Sequence, residues 1–147
     1  MSQPKVQIRS AHRFNVPAER IFDTFLDAEK AKTFMFTTLT GKMIRAEIDA
    51  RVGGGFVFVE RRPGGRAEHY GKFIVMERPH RLAFKFSVQE DAPDGDLVTV
   101  DIIPLAKGGC EVLLTHEVSA EFADLKESIE EGWDGILDGL GEALRQK

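Results

Sequence analysis

"FADLKESIEEGWDGILDGLGEAL", residues 122–144, decides how the rest of the chain is read. Phe122, Leu125, Ile129, Trp133, Ile136, Leu137, Leu140 and Leu144 recur in steps of three and four. That spacing puts one apolar stripe along an amphipathic α-helix of about six turns. The other side is acidic, with Asp124, Glu127, Glu130, Glu131, Asp134, Asp138 and Glu142. Three glycines, Gly135, Gly139 and Gly141, interrupt the last turns, and each costs about 1 kcal/mol relative to alanine in a helix interior. Gly135 and Gly139 are four apart and share a face, flanking the apolar stripe. One reading is that strands or a second subunit approach there, which adds a homodimer to the expected partners. The other is that a terminal helix simply tolerates surface glycines.

Working back from this helix, the chain changes period. Between Lys42 and Val118 every readable segment is strand-like: 42–48, 55–61, 67–76, 81–88, 96–103 and 110–118. Turn chemistry separates them at Gly53-Gly54-Gly55, Pro63-Gly64-Gly65, Pro79-His80, Asp91 to Asp96 and Lys107-Gly108-Gly109. Short strands joined by tight turns make an antiparallel meander and leave no room for crossover helices. A further strand opens the chain, where Val6, Ile8, Ser10, His12 and Phe14 alternate with polar residues and are expected to face inward. Pro17 then serves as a first helical residue, with Ile21, Phe22, Phe25 and Leu26 at helical spacing, and a second short helix follows Asp27, carrying Ala31 and Phe34. The expected fold is α+β: one domain over residues 1–147, a seven-stranded antiparallel sheet curled around a long C-terminal helix, with two short helices after the first strand.

Composition narrows the function classes. At 147 residues with 42% apolar residues and eleven phenylalanines, the chain can bury a core as a single domain. A net charge of -4 without a basic run speaks against nucleic acid. Cys110 is the only cysteine, so no internal disulfide forms and a reducing compartment is expected. No stretch is long and apolar enough for a membrane span, and "MSQPKVQIRS" does not read as a signal peptide. A cytoplasmic location is the resulting expectation.

The stretches "FNVPAERIFDTFLDAEKAKTF", "GGGFVF", "HYGKFIVMERPHRLAFKF" and "EVLLTHEV" with "EGWDGILDGL" resemble, in this order and over nearly the whole chain, one known group. It is the activator of heat-shock-chaperone ATPase homologue group of the START-like, birch-allergen-like superfamily, often labelled SRPBCC. The resemblance implies a helix-grip fold with an apolar cavity between the long helix and the concave sheet. Members of the superfamily include ligand carriers, receptors, cyclases and chaperone-binding modules. Where the group often places aromatic residues after its first short helices, this chain reads "TFMFTT", residues 33–38, so the cavity lining differs there.

Phe56, Phe58, Phe73, Phe84 and Phe86 alternate along three strands and put several rings on one sheet face. Such a face suits a flat hydrophobic ligand or fills a plain core. Trp133 and Leu137 provide the helix wall, and Trp133 adds one N–H donor. His12 and His116 fall on inward faces of the first and last strands and are polar anchors for the ligand, or histidines satisfied at strand ends. Glu60 and His69 are the inward-phase candidates that could join them around a metal, but no metal-ligand spacing supports this. Cys110 has no cationic neighbour in sequence and reads as inert, and Gly53 to Gly55 lacks the lysine and helix of a phosphate loop. The expected function is binding of a small hydrophobic molecule, with no catalytic residue, cofactor or metal assigned. Two alternatives stay open: a cyclase- or hydrolase-like enzyme using a cavity histidine, and a surface-mediated regulator of a chaperone ATPase.

Overall fold

The computed structural model describes residues 5–38, 40–88 and 95–145. The element order is β1 (Lys5–Phe14), α1 (Ala18–Phe25), α2 (Ala28–Ala31), β2 (Lys42–Ile48), β3 (Gly55–Arg62), β4 (Gly65–Glu77), β5 (Arg81–Ser87), β6 (Asp96–Pro104), β7 (Cys110–Ser119), a 3₁₀ stretch (Ala120–Leu125) and α3 (Lys126–Arg145). This is the expected α+β helix-grip layout. Of the turn expected over Asp91 to Asp96, residues 91–94 lie outside the described residues.

The seven strands form one antiparallel sheet in the order β1-β7-β6-β5-β4-β3-β2. Strands β2 to β7 pair with their sequence neighbours. The first strand closes against the last, in register from Lys5↔Ser119 to Phe14↔Cys110. Register shifts between Met43 and Arg45 and between Phe73 and Val75 mark irregularities in β2 and β4, and such bulges increase the local twist that lets a sheet curl. In β7 the alternate residues Cys110, Val112, Leu114, His116 and Val118 are buried, as period-two patterning requires. The even-numbered side of β1 likewise turns inward, with Ile8 and Ser10 buried.

Helix α3 lies on this concave face through Trp133, Ile136, Leu137 and Leu140, all buried. Its entry differs from the sequence expectation. Residues 120–125 form a tighter 3₁₀ stretch, and Phe122 and Leu125 remain 46% and 50% exposed. A 3₁₀ segment is a common way to start a helix, and here it carries the chain from β7 before the apolar stripe reaches the sheet. Pro17 also sits one position earlier than expected, as the N-cap with ψ 154°. At α2, Asp27 caps the helix by accepting from the backbone N–H groups of Glu29 (3.0 Å) and Lys30 (3.3 Å). That helix is only four residues long, so Phe34 falls in the following turn and not on the helix.

Candidate functional site

A cavity of about 570 Å³ opens between α3, the turn after α2 and the far strands of the sheet. Its apolar lining includes Phe34, Phe36, Phe86, Trp133 and Ile136, and its polar groups include Thr37, Thr38, Arg62, His69 and His116. Gly132, Gly135 and Gly139 of α3 line it as well. At about 100° per residue these three fall within roughly 60° of one another. They give the helix a bare backbone ribbon beside its apolar stripe.

The glycines are not equivalent. A Cβ built on Gly132 or Gly135 would meet nothing within 4 Å, whereas one on Gly139 would lie 2.7 Å from Phe34 Cβ. Gly139 is therefore where the Phe34 turn comes up against the helix, and Gly135 is where the cavity opens. Opposite signs follow for the same substitution. Gly135→Ala should stabilise the protein by up to about 1 kcal/mol through helix propensity. Gly139→Ala should destabilise it by about 1–2 kcal/mol, because overpacking against a side-chain base costs more than propensity returns. Urea denaturation of both variants checks this, and shifts of the same sign and size would contradict the seating of α3.

Phe36 is the hub of the aromatic lining. Its ring lies nearly parallel to His69 (centroids 4.3 Å, 9°) and to Phe86 (5.2 Å, 6°), with Trp133 set across it at 69°. Its backbone has φ 56°, a conformation a bulky side chain rarely adopts. One support is Arg62, whose guanidinium donates to the Phe36 carbonyl (3.4 Å) and to Glu60 (2.6 Å). Glu60 is only 1% exposed and also accepts from the Thr38 backbone N–H (2.8 Å) and hydroxyl (3.0 Å). Burial would raise its pKa, but the Arg62 and Thr38 hydrogen bonds outweigh that and hold the carboxyl below the usual 4.5.

The two cavity histidines differ in what they leave free. Trp133 Nε1–H donates to His116 Nδ1 (3.0 Å), so that nitrogen accepts; Nε2 then carries the hydrogen and faces Asp96 (3.0 Å). Both nitrogens of His116 are thus engaged. His69 places Nδ1 3.2 Å from the Phe58 carbonyl, which can only accept, so Nδ1 carries its hydrogen. Burial lowers the His69 pKa from its usual 6.5, against the opposing effect of the Phe58 carbonyl. The buried Cys110 thiol is pushed above its usual 9.0 by desolvation and by Glu19.

A family model described as Activator of Hsp90 ATPase homolog 1-like protein matches residues 15–145. The chain belongs to this family. No curated protein matches it at a significant level. Solved structures agree on the fold. The AHSA1-like protein from Aeromonas hydrophila is 21% identical, with a TM-score of 0.79 over 95% of this chain and 92% of that one. A protein from Nitrosomonas europaea is 19% identical, with a TM-score of 0.80 over 96% and 95%. A protein of unknown function from Staphylococcus aureus is 13% identical, with a TM-score of 0.82 over 98% and 96%.

On this AHSA1-like scaffold the residues singled out in the sequence separate into three places. Phe86, His116 and Trp133 line the cavity. Phe56, Phe58, Phe73 and Phe84 are buried in the core behind it, Phe56 and Phe58 reaching the cavity-lining Phe36 at 6.0 and 5.9 Å. His12 and Leu137 border a separate groove with Asp138 and Gly141. The strands of His12 and His116 are neighbours, but Ile8 pairs with His116 and His12 with Val112. Four residues of β1, about 13 Å, separate the two histidines. His12 instead faces Asp134 (3.7 Å) and Asp138 (3.4 Å), and Ser10 donates to Asp134. Part of the acidic helix side is therefore engaged by β1 and is not freely solvated. Sequence reasoning marked residues 33–38 as a differing part of the cavity lining without singling out Phe36, missed Arg62, and weighed His69 only as a metal ligand. Among the described residues no three ligating side chains come together to hold a metal, and no helix is long and apolar enough to cross a membrane.

Proposed function

We propose that this AHSA1-like protein binds a small hydrophobic molecule in the cavity between α3 and the sheet. Folds of this type commonly hold hydrophobic ligands. The observation that carries the reading is the glycine ribbon: at Gly132 and Gly135 the helix gives up side chains that nothing in the protein crowds out, so the helix propensity lost there (about 1 kcal/mol each) leaves open volume and no closer packing. A cavity of about 570 Å³ falls in the range of small-molecule sites. In this reading Phe36, Phe86 and Trp133 touch the ligand, Phe56, Phe58, Phe73 and Phe84 back the wall, and His116 fixes the indole.

Trp133 is the only tryptophan, so its emission reports directly on the cavity. Titration with an apolar probe such as 1-anilinonaphthalene-8-sulfonate is expected to quench or shift that emission. Gly135→Leu is expected to weaken binding at least about ten-fold while the fold persists, since the added side chain occupies the open volume. Native mass spectrometry of the purified protein then identifies any co-purifying molecule. A protein that carries no adduct and leaves Trp133 emission unchanged with every apolar probe would overturn the proposal.

A further inference from the structure

Resting on the ligand-binding reading above, we infer that the ligand is a flat, uncharged aromatic or conjugated molecule whose hydroxyl donates a hydrogen bond to His69 Nε2. Two observations define its shape. Phe36, His69 and Phe86 lie within 14° of parallel, and the helix lining of the same cavity is bare backbone at Gly132 and Gly135. Phe36 stacks face to face on His69 at 4.3 Å and on Phe86 at 5.2 Å, and a cavity with such a ring stack on one lining and no side chains on part of the other favours a planar body, since offset stacking needs flat faces.

The polar end follows from which groups inside the cavity have capacity left, Thr37 and Glu131 being exposed residues of the lining. His116 uses both nitrogens, on Trp133 and Asp96. Thr33 donates to the Lys30 carbonyl, and Thr38 is held between Glu60 and the Gly41 N–H. His69 has Nδ1 on the Phe58 carbonyl, so in the neutral ring Nε2 carries a lone pair and no hydrogen. No buried side-chain nitrogen or oxygen among the described residues lacks a partner. His69 Nε2, which makes no hydrogen bond within the described residues, is therefore open to solvent, and because His69 lines the cavity it offers a ligand an acceptor there. Arg62 and Glu60 pair with each other next to it, so neither presents an unpaired charge beside His69; the other carboxylate of the lining is the exposed Glu131 on α3. A hydroxyl on an aromatic ring donates to such an acceptor, a thiol only weakly, and an ether or a carboxylate not at all.

The test compares 2-naphthol with 2-methoxynaphthalene, equal in ring system but unequal in donor, by Trp133 quenching. The wild-type protein is expected to prefer 2-naphthol by about ten-fold, the value of one net hydrogen bond once the bound ring system shields His69 Nε2 from water. In His69→Phe, which keeps an aromatic ring beside Phe36, the ratio of the two affinities is expected to fall to about one, whatever the change in absolute affinity. Equal binding of both probes to the wild type would overturn the His69 inference and leave the cavity reading standing. Retention of the preference in His69→Phe would move the acceptor to Thr37 or Glu131 at the same cavity, and would also overturn it. Failure of both probes to bind the wild type would overturn the cavity reading and this inference with it.

Discussion

Trp133→Ala is expected to lower stability by about 3–5 kcal/mol, roughly a fifth or more of what a domain of this kind commonly possesses. The indole is 4% exposed and meets Phe36, Phe86 and His116 edge-on at 5.7, 6.1 and 5.8 Å. Truncation removes those contacts and merges the vacated space with the existing cavity. It also leaves His116 Nδ1 without the donor it now accepts from. Trp133→Phe separates the contributions: it keeps an aromatic ring and loses the N–H, with an expected cost of about 1–2 kcal/mol. Because each change removes the only tryptophan, urea unfolding should be followed by far-ultraviolet circular dichroism. A cost below about 1 kcal/mol for Trp133→Ala would show that the indole does not hold α3 to the sheet.

Glu60→Gln is expected to cost about 2–4 kcal/mol and to flatten the acid limb of the stability curve. Glu60 ties β3 to the segment after α2 at two points, Thr38 directly and the backbone of Phe36 through Arg62. The amide substitute presents N–H groups where the carboxylate accepted, so at least one of these donors loses its partner. The figure sits below that of a fully buried pair because Arg62 is 35% exposed. The pH dependence has a definite sign. The folded-state pKa of Glu60 lies below its ordinary 4.5, so its contribution is present in full above 4.5 and fades as pH falls through the lowered folded value. Asp23, held down mainly by its hydrogen bond to Arg78, acts in the same direction from the surface. Only the difference between wild type and Glu60→Gln therefore reports on Glu60. An unchanged difference between neutral and acidic pH would contradict the role assigned to this carboxylate. Since the Glu60–Arg62 pair supports Phe36, whose φ of 56° is costly for a bulky residue, the variant should also bind apolar probes less tightly.

The fold was legible for a definite reason. Period two in the strands and period three to four in α3 are imprinted by which face of each element is buried, and burial is a local demand on every residue. The same logic ended where position along an element, and not face, became the question. Phe56, Phe58, Phe73 and Phe84 have the inward phase of Phe86, yet all four are in the core, with Phe36 of the turn after α2 lying against Phe56 and Phe58. Strand phase carries no record of what a distant turn covers. Phe122 and Leu125 kept helical spacing but fall in the 3₁₀ entry before the stripe meets the sheet, so periodicity alone overstated the packed length of the helix.

The histidines and glycines mark the boundary between what the sequence by itself determined and what only the tertiary structure decided. From the residues alone came the element types, their order, the inward faces, the glycine interruptions of the last helix and the resemblance to the AHSA1-like group. These depend on patterns within one element or on the succession of elements. Register between β1 and β7 sent His12 to Asp134 and Asp138 and His116 to Trp133. The seating of α3 divided Gly135, which opens a cavity, from Gly139, which admits the Phe34 turn. His12 and Gly139 meet residues more than a hundred positions away, and His116 meets Trp133 on a different element; the geometry of each pairing is set by how the whole sheet curls, so the local sequence around each residue holds no trace of the partner it will meet.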